Sequence, residues 1–142
     1  ELTRAIASDV ASVWQTPIEV DIPSPWTCSI IAEKEAVPVA LILNELIVNA
    51  VKHGGKAHGQ VSVSLRKGRQ EEQTQVSIRN AGHLRSNLDR PTAEHHGLQL
   101  VDSLMPQHGA SLSREQHGDE VLTRLELQPP VIHLERGRLE HA

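Results

Sequence analysis

Phenylalanine and tyrosine are absent, and the only large rings are Trp14 and Trp26. The core must therefore be assembled from Val, Ile, Leu and Ala. There is a single cysteine, so no intramolecular disulfide can form. A lone thiol at Cys28 reads as a small core residue in a reducing compartment, which points to the cytoplasm. No basic block stands out; Lys and Arg are scattered and the net charge is −4, so nucleic acid is not an expected partner. No apolar run reaches the roughly 18 residues that span a bilayer, and the start lacks a signal-peptide pattern. Membrane contact by this domain is not expected; an anchor of the whole protein would lie elsewhere. The chain opens on Glu1 and its sole methionine is Met105, so it is expected to be part of a longer protein. At 142 residues it is long enough for one domain with one core.

What is present alternates between helix and strand patterns. Leu2, Ile6, Val10, Val13 and Trp14 fall at helical spacing, and Pro17 ends that helix. "IEVDIP" and "WTCSIIA" read as two short strands joined by a turn at Pro23, Ser24 and Pro25. A long apolar helix follows and stops at Gly54 and Gly55. "QVSVSLRKG" and "QTQVSIRNAG" each alternate with period two around the charged "RQEE", a hairpin; "HHGLQLVDSLMPQHG" is helical behind Gly97; "ASLSREQHGDEVLTRLELQPP" makes a second hairpin turning at Gly118 and Asp119. This order predicts an α+β fold, a two-layer sandwich with helices packed on one face of a mixed, mostly antiparallel sheet. The domain is expected over residues 1–130, with 131–142 a charged, loosely held tail.

The long helix carries an unusual polar stripe. With Glu45 at zero and about 100° per residue, Asn49 falls at about 40°, Lys52 at about 340° and His53 at about 80°. Val39, Leu43, Leu46, Ile47, Ala50 and Val51 fill the opposite arc, about 100° to 240°. A solvated face on an amphipathic helix is one reading. Asparagine is a poor helix former, however, and every group in the stripe can bind a cation, meet phosphate or move a proton. Three further features stand beside it. Asn80-Ala81-Gly82 ends a strand and is either a turn or a place where a ligand approaches. Gly97 opens a helix whose free amides suit an anion, or is a plain boundary. Thr123 shares a strand face with Val121, Leu125 and Leu127, an inward place for a hydroxyl.

"NELIVNAVKHG", "VSIRNAG", "HHGLQLVDSL" and "LTRLELQP", in that order, resemble the N box, first glycine box, second glycine box and closing strand of the ATPase fold shared by gyrase, Hsp90, histidine kinases and MutL. The size and the short "GLQLV" element are most similar to the catalytic domain of a bacterial sensor histidine kinase. The resemblance implies a Bergerat-type ATP-binding fold with ATP and Mg2+ as cofactors, and transfer of the γ-phosphoryl group to a histidine. That histidine would lie in a separate dimerisation domain of the same kinase, with a response regulator as an indirect partner. Within it, Asn49 matches the asparagine whose oxygen completes the Mg2+ shell, and Glu45 matches the acid that polarises the accepting group. Lys52 would meet phosphate as a point charge, and the ring of His53 would pack near the nucleotide. Gly82 would leave room for adenine, the backbone at Gly97 and Leu98 would cradle phosphate, and Thr123 would lie near the base. Residues 83–96 would form the lid, from which Arg85 or Arg90 could reach the γ-phosphate or simply face solvent.

Two departures from the family pattern stand out. Asn80 occupies the place of an aspartate that accepts a hydrogen bond from the adenine amino group; an amide oxygen can accept without charge, and the amide can also flip and donate. His95 stands where a further glycine is usual. The nine histidines show neither zinc-ligand spacing nor a mid-helix phosphoacceptor pattern, so the isolated chain is not expected to phosphorylate itself. The alternatives are a degenerate nucleotide-binding regulatory module and an anti-sigma-factor-type serine kinase of the same fold.

Overall fold

The computed structural model describes residues 2–23, 29–55, 61–70, 72–83 and 99–134. Helix α1 (Leu2–Trp14) leads into strand β1 (Ile18–Asp21). Strand β2 (Ser29–Ile31) and a 3-10 turn precede α2 (Ala36–Ala50). Pro38 sits in the first turn of α2, where its missing N–H has no intrahelical partner to lose. The hairpin β3 (Val61–Lys67) and β4 (Thr74–Ala81) follows, then a short helix α3 over 99–104. The chain closes with the hairpin β5 (Ala110–His117) and β6 (Glu120–Leu127) and the short β7 (Ile132–Leu134).

The main sheet runs β1-β3-β4-β6-β5, parallel only between β1 and β3, as the α+β reading expects of a mostly antiparallel sheet. Period-two alternation puts Val61, Val63, Val76, Ile78, Val121, Leu125 and Leu127 on one buried face, against Val39, Ile42, Leu43, Leu46 and Ile47 of α2. The core is aliphatic throughout, each buried side chain contributing about 1.5–3 kcal/mol. The helical stretch Glu33–His53, with mean hydropathy 1.3, is long and apolar enough to cross a bilayer by length and composition. Its apolar side lies in this core. The opposite face of the sheet is polar; there Arg66, Arg79, Arg124, Ser64, Ser77 and Asp21 border a shallow cavity of about 400 Å3, and Arg66 bonds Asp21 at 2.6 Å.

Two expectations need correction. The strands at 18–21 and 29–31 do not pair with each other: β1 takes its partner from β3, with Ile18 opposite Val61, and β2 pairs with β7, with Ile31 opposite Ile132. Each side of the proline-rich connection finds its backbone partner far along the chain, in a different sheet. The packed structure also runs past Pro130. Val131 and Ile132 are fully buried, and the Ala32 amide donates to the Val131 carbonyl at 2.8 Å. Residues 135–142 of the expected tail lie outside the described residues.

Candidate nucleotide site

At Val51 the α-helical ladder of α2 widens into a π turn, Val51–Gly55. Such a turn holds more residues than a regular helical one, so the wheel positions derived above apply through Ala50 but not to Lys52 and His53. Glu45 and Asn49 remain one turn apart on the half-buried flank of α2. Among the described residues nothing hydrogen-bonds to either side chain.

Lys52 points toward α1. Its Nζ stands 5.5 Å from the centroid of the Trp14 ring, within the range of a cation–π contact. Trp14 is held there by the way α1 ends. Gln15 adopts a left-handed conformation (φ 49°), the Thr16 amide donates to the Ala11 carbonyl at 3.1 Å, and the Gln15 amide to Ser12 at 3.4 Å. This is the two-bond Schellman closure, with glutamine in the position usually given to glycine. The Thr16 hydroxyl adds a bond to the Trp14 carbonyl at 3.1 Å.

The end of β4 meets the π turn. Asn80 is 4% exposed on the core side of the sheet, opposite Val121. Its Nδ2 donates to the Ala81 carbonyl at 2.9 Å. That bond orients the amide, because the reverse orientation would set oxygen against oxygen. Gly82 has φ 133°, a conformation that L side chains rarely adopt. A Cβ placed there would lie 3.6 Å from the His53 carbonyl and 3.7 Å from Asn80 Nδ2. The backbone of His53, the amide of Asn80 and the bare Cα of Gly82 thus meet at one point. Thr123, 5% exposed, faces inward on β6 opposite Ile78, a diagonal neighbour of Asn80.

Gly97, Leu98 and His95 lie outside the described residues, as do the expected lid apart from His83 and its arginines Arg85 and Arg90. Sequence reasoning missed Gln116 and Asp119. The Gly82 amide donates to the Asp119 carbonyl at 2.8 Å, and Gln116 Nε2 donates to the Gly82 carbonyl at 2.9 Å. The turn signal at Gly118 was visible in the sequence; its approach to Gly82 was not.

The arrangement can be set beside known proteins. Residues 24–125 match the family model of the histidine kinase-like ATPase domain. No curated protein sequence matches the chain. Among solved structures, the blue-light activated histidine kinase of Erythrobacter litoralis superposes with a TM-score of 0.66 at 20% identity. The match covers 88% of this chain and 40% of that one, so the chain spans well under half of that kinase. A nucleotide-free catalytic domain of the histidine kinase ThkA gives a TM-score of 0.68 at 14% identity, covering 89% of both chains. The Acinetobacter baumannii histidine kinase AdeS gives 0.65 at 16% identity, covering 89% of this chain and 64% of that one. At these identities the superpositions speak for the fold, and the family model speaks for the sequence that builds it. A mostly antiparallel sheet carrying its polar-striped helix on one face, matched over most of its length, makes this chain a member of the histidine kinase-like ATPase domain family, a nucleotide-binding family.

Proposed function

We propose that this domain binds ATP with Mg2+ and passes the γ-phosphoryl group to a histidine on a separate dimerisation domain of a sensor kinase. The observation that carries the reading is the meeting of His53, Asn80 and Gly82 at the end of the helix that carries the half-buried Glu45 and Asn49. These are the positions at which the family's N box and first glycine box face a nucleotide.

The donor set suits Mg2+. Asn49 offers a neutral oxygen with no competing bond among the described residues, and a hard ion that keeps several waters needs little more from the protein beside phosphate oxygens. When bound, the ion neutralises charge on the transferring phosphate. The remaining work falls to this chain's own groups. Glu45 accepts the proton as the incoming imidazole nitrogen bonds to the γ-phosphorus and the bond to the bridging oxygen breaks, releasing ADP. Lys52, whose ammonium rests over the Trp14 ring in this structure, would have to swing from that ring to supply a point charge to the phosphates. Asn80 offers its oxygen to the adenine amino group while Gly82 keeps that wall free of a side chain, and Thr123 lies close behind. Gly97 and Leu98 complete the reading as the phosphate cradle.

One solved structure carries the histidine kinase ThkA in complex with the response regulator TrrA. By analogy a response regulator is the downstream partner here, reached through the phosphorylated dimerisation domain, and the cytoplasm is the compartment. A nucleotide-binding module without transfer is the second reading, favoured by Asn80 in place of an acid.

Calorimetric titration with ATP and a non-hydrolysable analogue, with and without Mg2+, tests binding. Addition of γ-labelled ATP together with the acceptor domain tests transfer. Mg2+-dependent binding with acid-labile label on the acceptor supports the kinase; binding without label supports the module; no binding refutes both.

A further inference from the structure

Gly82 holds a conformation that L side chains rarely adopt, and it has no side chain of its own to fix its place. Both of its backbone polar groups are satisfied by the β5–β6 turn. Its amide donates to the Asp119 carbonyl at 2.8 Å, and its carbonyl accepts from Gln116 Nε2 at 2.9 Å. The same nitrogen lies 2.9 Å from the Gly118 carbonyl and 3.1 Å from the Glu120 carbonyl. Two N–H groups therefore serve three carbonyls, two within the turn and one on the glycine segment. Register explains the reach. Gln116 stands opposite Val121, which stands opposite Asn80, so Gln116 and Asn80 share one row across three strands. From the end of that row each amide takes one of two consecutive carbonyls, Asn80 that of Ala81 and Gln116 that of Gly82.

We infer that Gln116 is a positioning residue for the nucleotide site: it ties the β5–β6 turn to Gly82 and so sets the wall against which the base lies. The inference rests on the nucleotide-binding reading proposed above. Because the Gly82 amide is spent on Asp119 and its carbonyl already accepts from Gln116, the main service of this glycine to the base is the shape of the wall. That shape is held from outside the two glycine boxes. Gln116 acts on the glycine segment at the end of β4 rather than on α2, so its loss is expected to weaken contact with the base first.

The test uses Gln116→Glu, which keeps the length but cannot donate, and Gln116→Lys, whose ammonium can donate to the same carbonyls. Amide hydrogen exchange at Gly82 reports the tie, and titration with ATP and with adenosine reports the site. With the acceptor domain present, kinetics separate KM from kcat. In Gln116→Glu we expect faster Gly82 exchange, about tenfold weaker binding of ATP and adenosine alike, a raised KM for ATP and an unchanged kcat at saturation. Gln116→Lys should restore affinity to within about threefold of wild type, since charge-assisted donors replace the lost amide. ATP affinity unchanged in Gln116→Glu despite faster exchange would overturn the positioning role while leaving the proposed function intact. Exchange unchanged would overturn the tie itself. A wild type that binds no ATP would overturn both readings.

Discussion

Asn80→Asp restores the residue usual in the family, and the structure says it should nonetheless cost stability. The wild-type amide donates to the Ala81 carbonyl at 2.9 Å from a site only 4% exposed. A carboxylate cannot donate. The variant leaves the part-buried Ala81 carbonyl without its donor, a cost of about 1–3 kcal/mol. At roughly 2–4 °C per kcal/mol for a chain of this size, the midpoint should fall by about 2–12 °C. The effect has a pH signature. Burial raises the introduced carboxyl's pKa above its unfolded value, and the protonated acid can still donate to Ala81. Its stability contribution is therefore present below the unfolded pKa and is lost as pH rises through the folded one. Calorimetric scans of both proteins from acidic to neutral pH should show the gap opening upward. The same bond bears on the base. A freely turning amide would accept from ATP or donate to GTP, but an amide bonded to Ala81 presents mainly its oxygen, so wild type should favour ATP by about tenfold or more. A variant midpoint equal to wild type at every pH would refute the Asn80–Ala81 bond. Equal affinities for the two nucleotides would refute a base-facing Asn80.

Four further outcomes are expected. Asn49→Ala should abolish most of the Mg2+-dependent gain in ATP affinity while leaving binding without Mg2+ nearly intact, and titration at two Mg2+ concentrations decides it. Incubated alone with γ-labelled ATP the chain should stay unlabelled; acid-labile label on any of its histidines would contradict the separate-acceptor reading. Gly109→Ala should destabilise by about 3 kcal/mol, because φ is 87° and the new Cβ would stand 2.6 Å from the Gln128 carbonyl; a denaturant midpoint within error of wild type would sink this. The hydrogen bond from His117, at 2.8 Å, holds the Glu115 carboxyl below its ordinary value; its contribution is present above the unfolded pKa and lost as pH falls through the folded one, and carboxyl NMR should show His117→Ala moving the titration up.

The elements that could be read from the sequence are those whose signal is local. Alternation located both hairpins because the two strands of each are adjacent in sequence and one face of each is buried. The wheel located the core side of α2 because an aliphatic arc needs no partner to be recognised. It stopped being valid at Val51, since nothing in "VKHGG" distinguishes a π turn from a helix that frays at glycine. Strand β1 gave no hint of its parallel partner β3, because the register Ile18 to Val61 is a tertiary choice between several apolar runs. Residues 131–134 were too few to show a period, yet β7 pairs with β2 and Val131 and Ile132 are buried. Within the site, residue types were legible and their partners were not. Asn80 and Thr123 could be placed inward by parity, whereas Gln116 looked like any polar residue on an edge strand.

That last blindness changes the meaning of the Asn80 departure. Taken alone, an amide where relatives carry an acid looks like decay of a base-binding contact. Beside Gln116 it looks different. Ala81 and Gly82 present two consecutive carbonyls at the end of β4, and each accepts from a side-chain amide, one from its own strand and one from the neighbouring hairpin. An acid at position 80 would keep an acceptor for the base but leave the half-buried Ala81 carbonyl to find another donor. On the proposed reading the amide does both with one group: its nitrogen serves the backbone and its oxygen would remain for the ligand. The loss of charge weakens one hydrogen bond to the adenine amino group by about 1 kcal/mol. The gain is a segment whose shape is set before any nucleotide arrives, which lowers the ordering cost of binding by a comparable amount. On this arithmetic Asn80 is compatible with a working nucleotide site, and the choice between kinase and passive module turns on Glu45 and Lys52 rather than on Asn80.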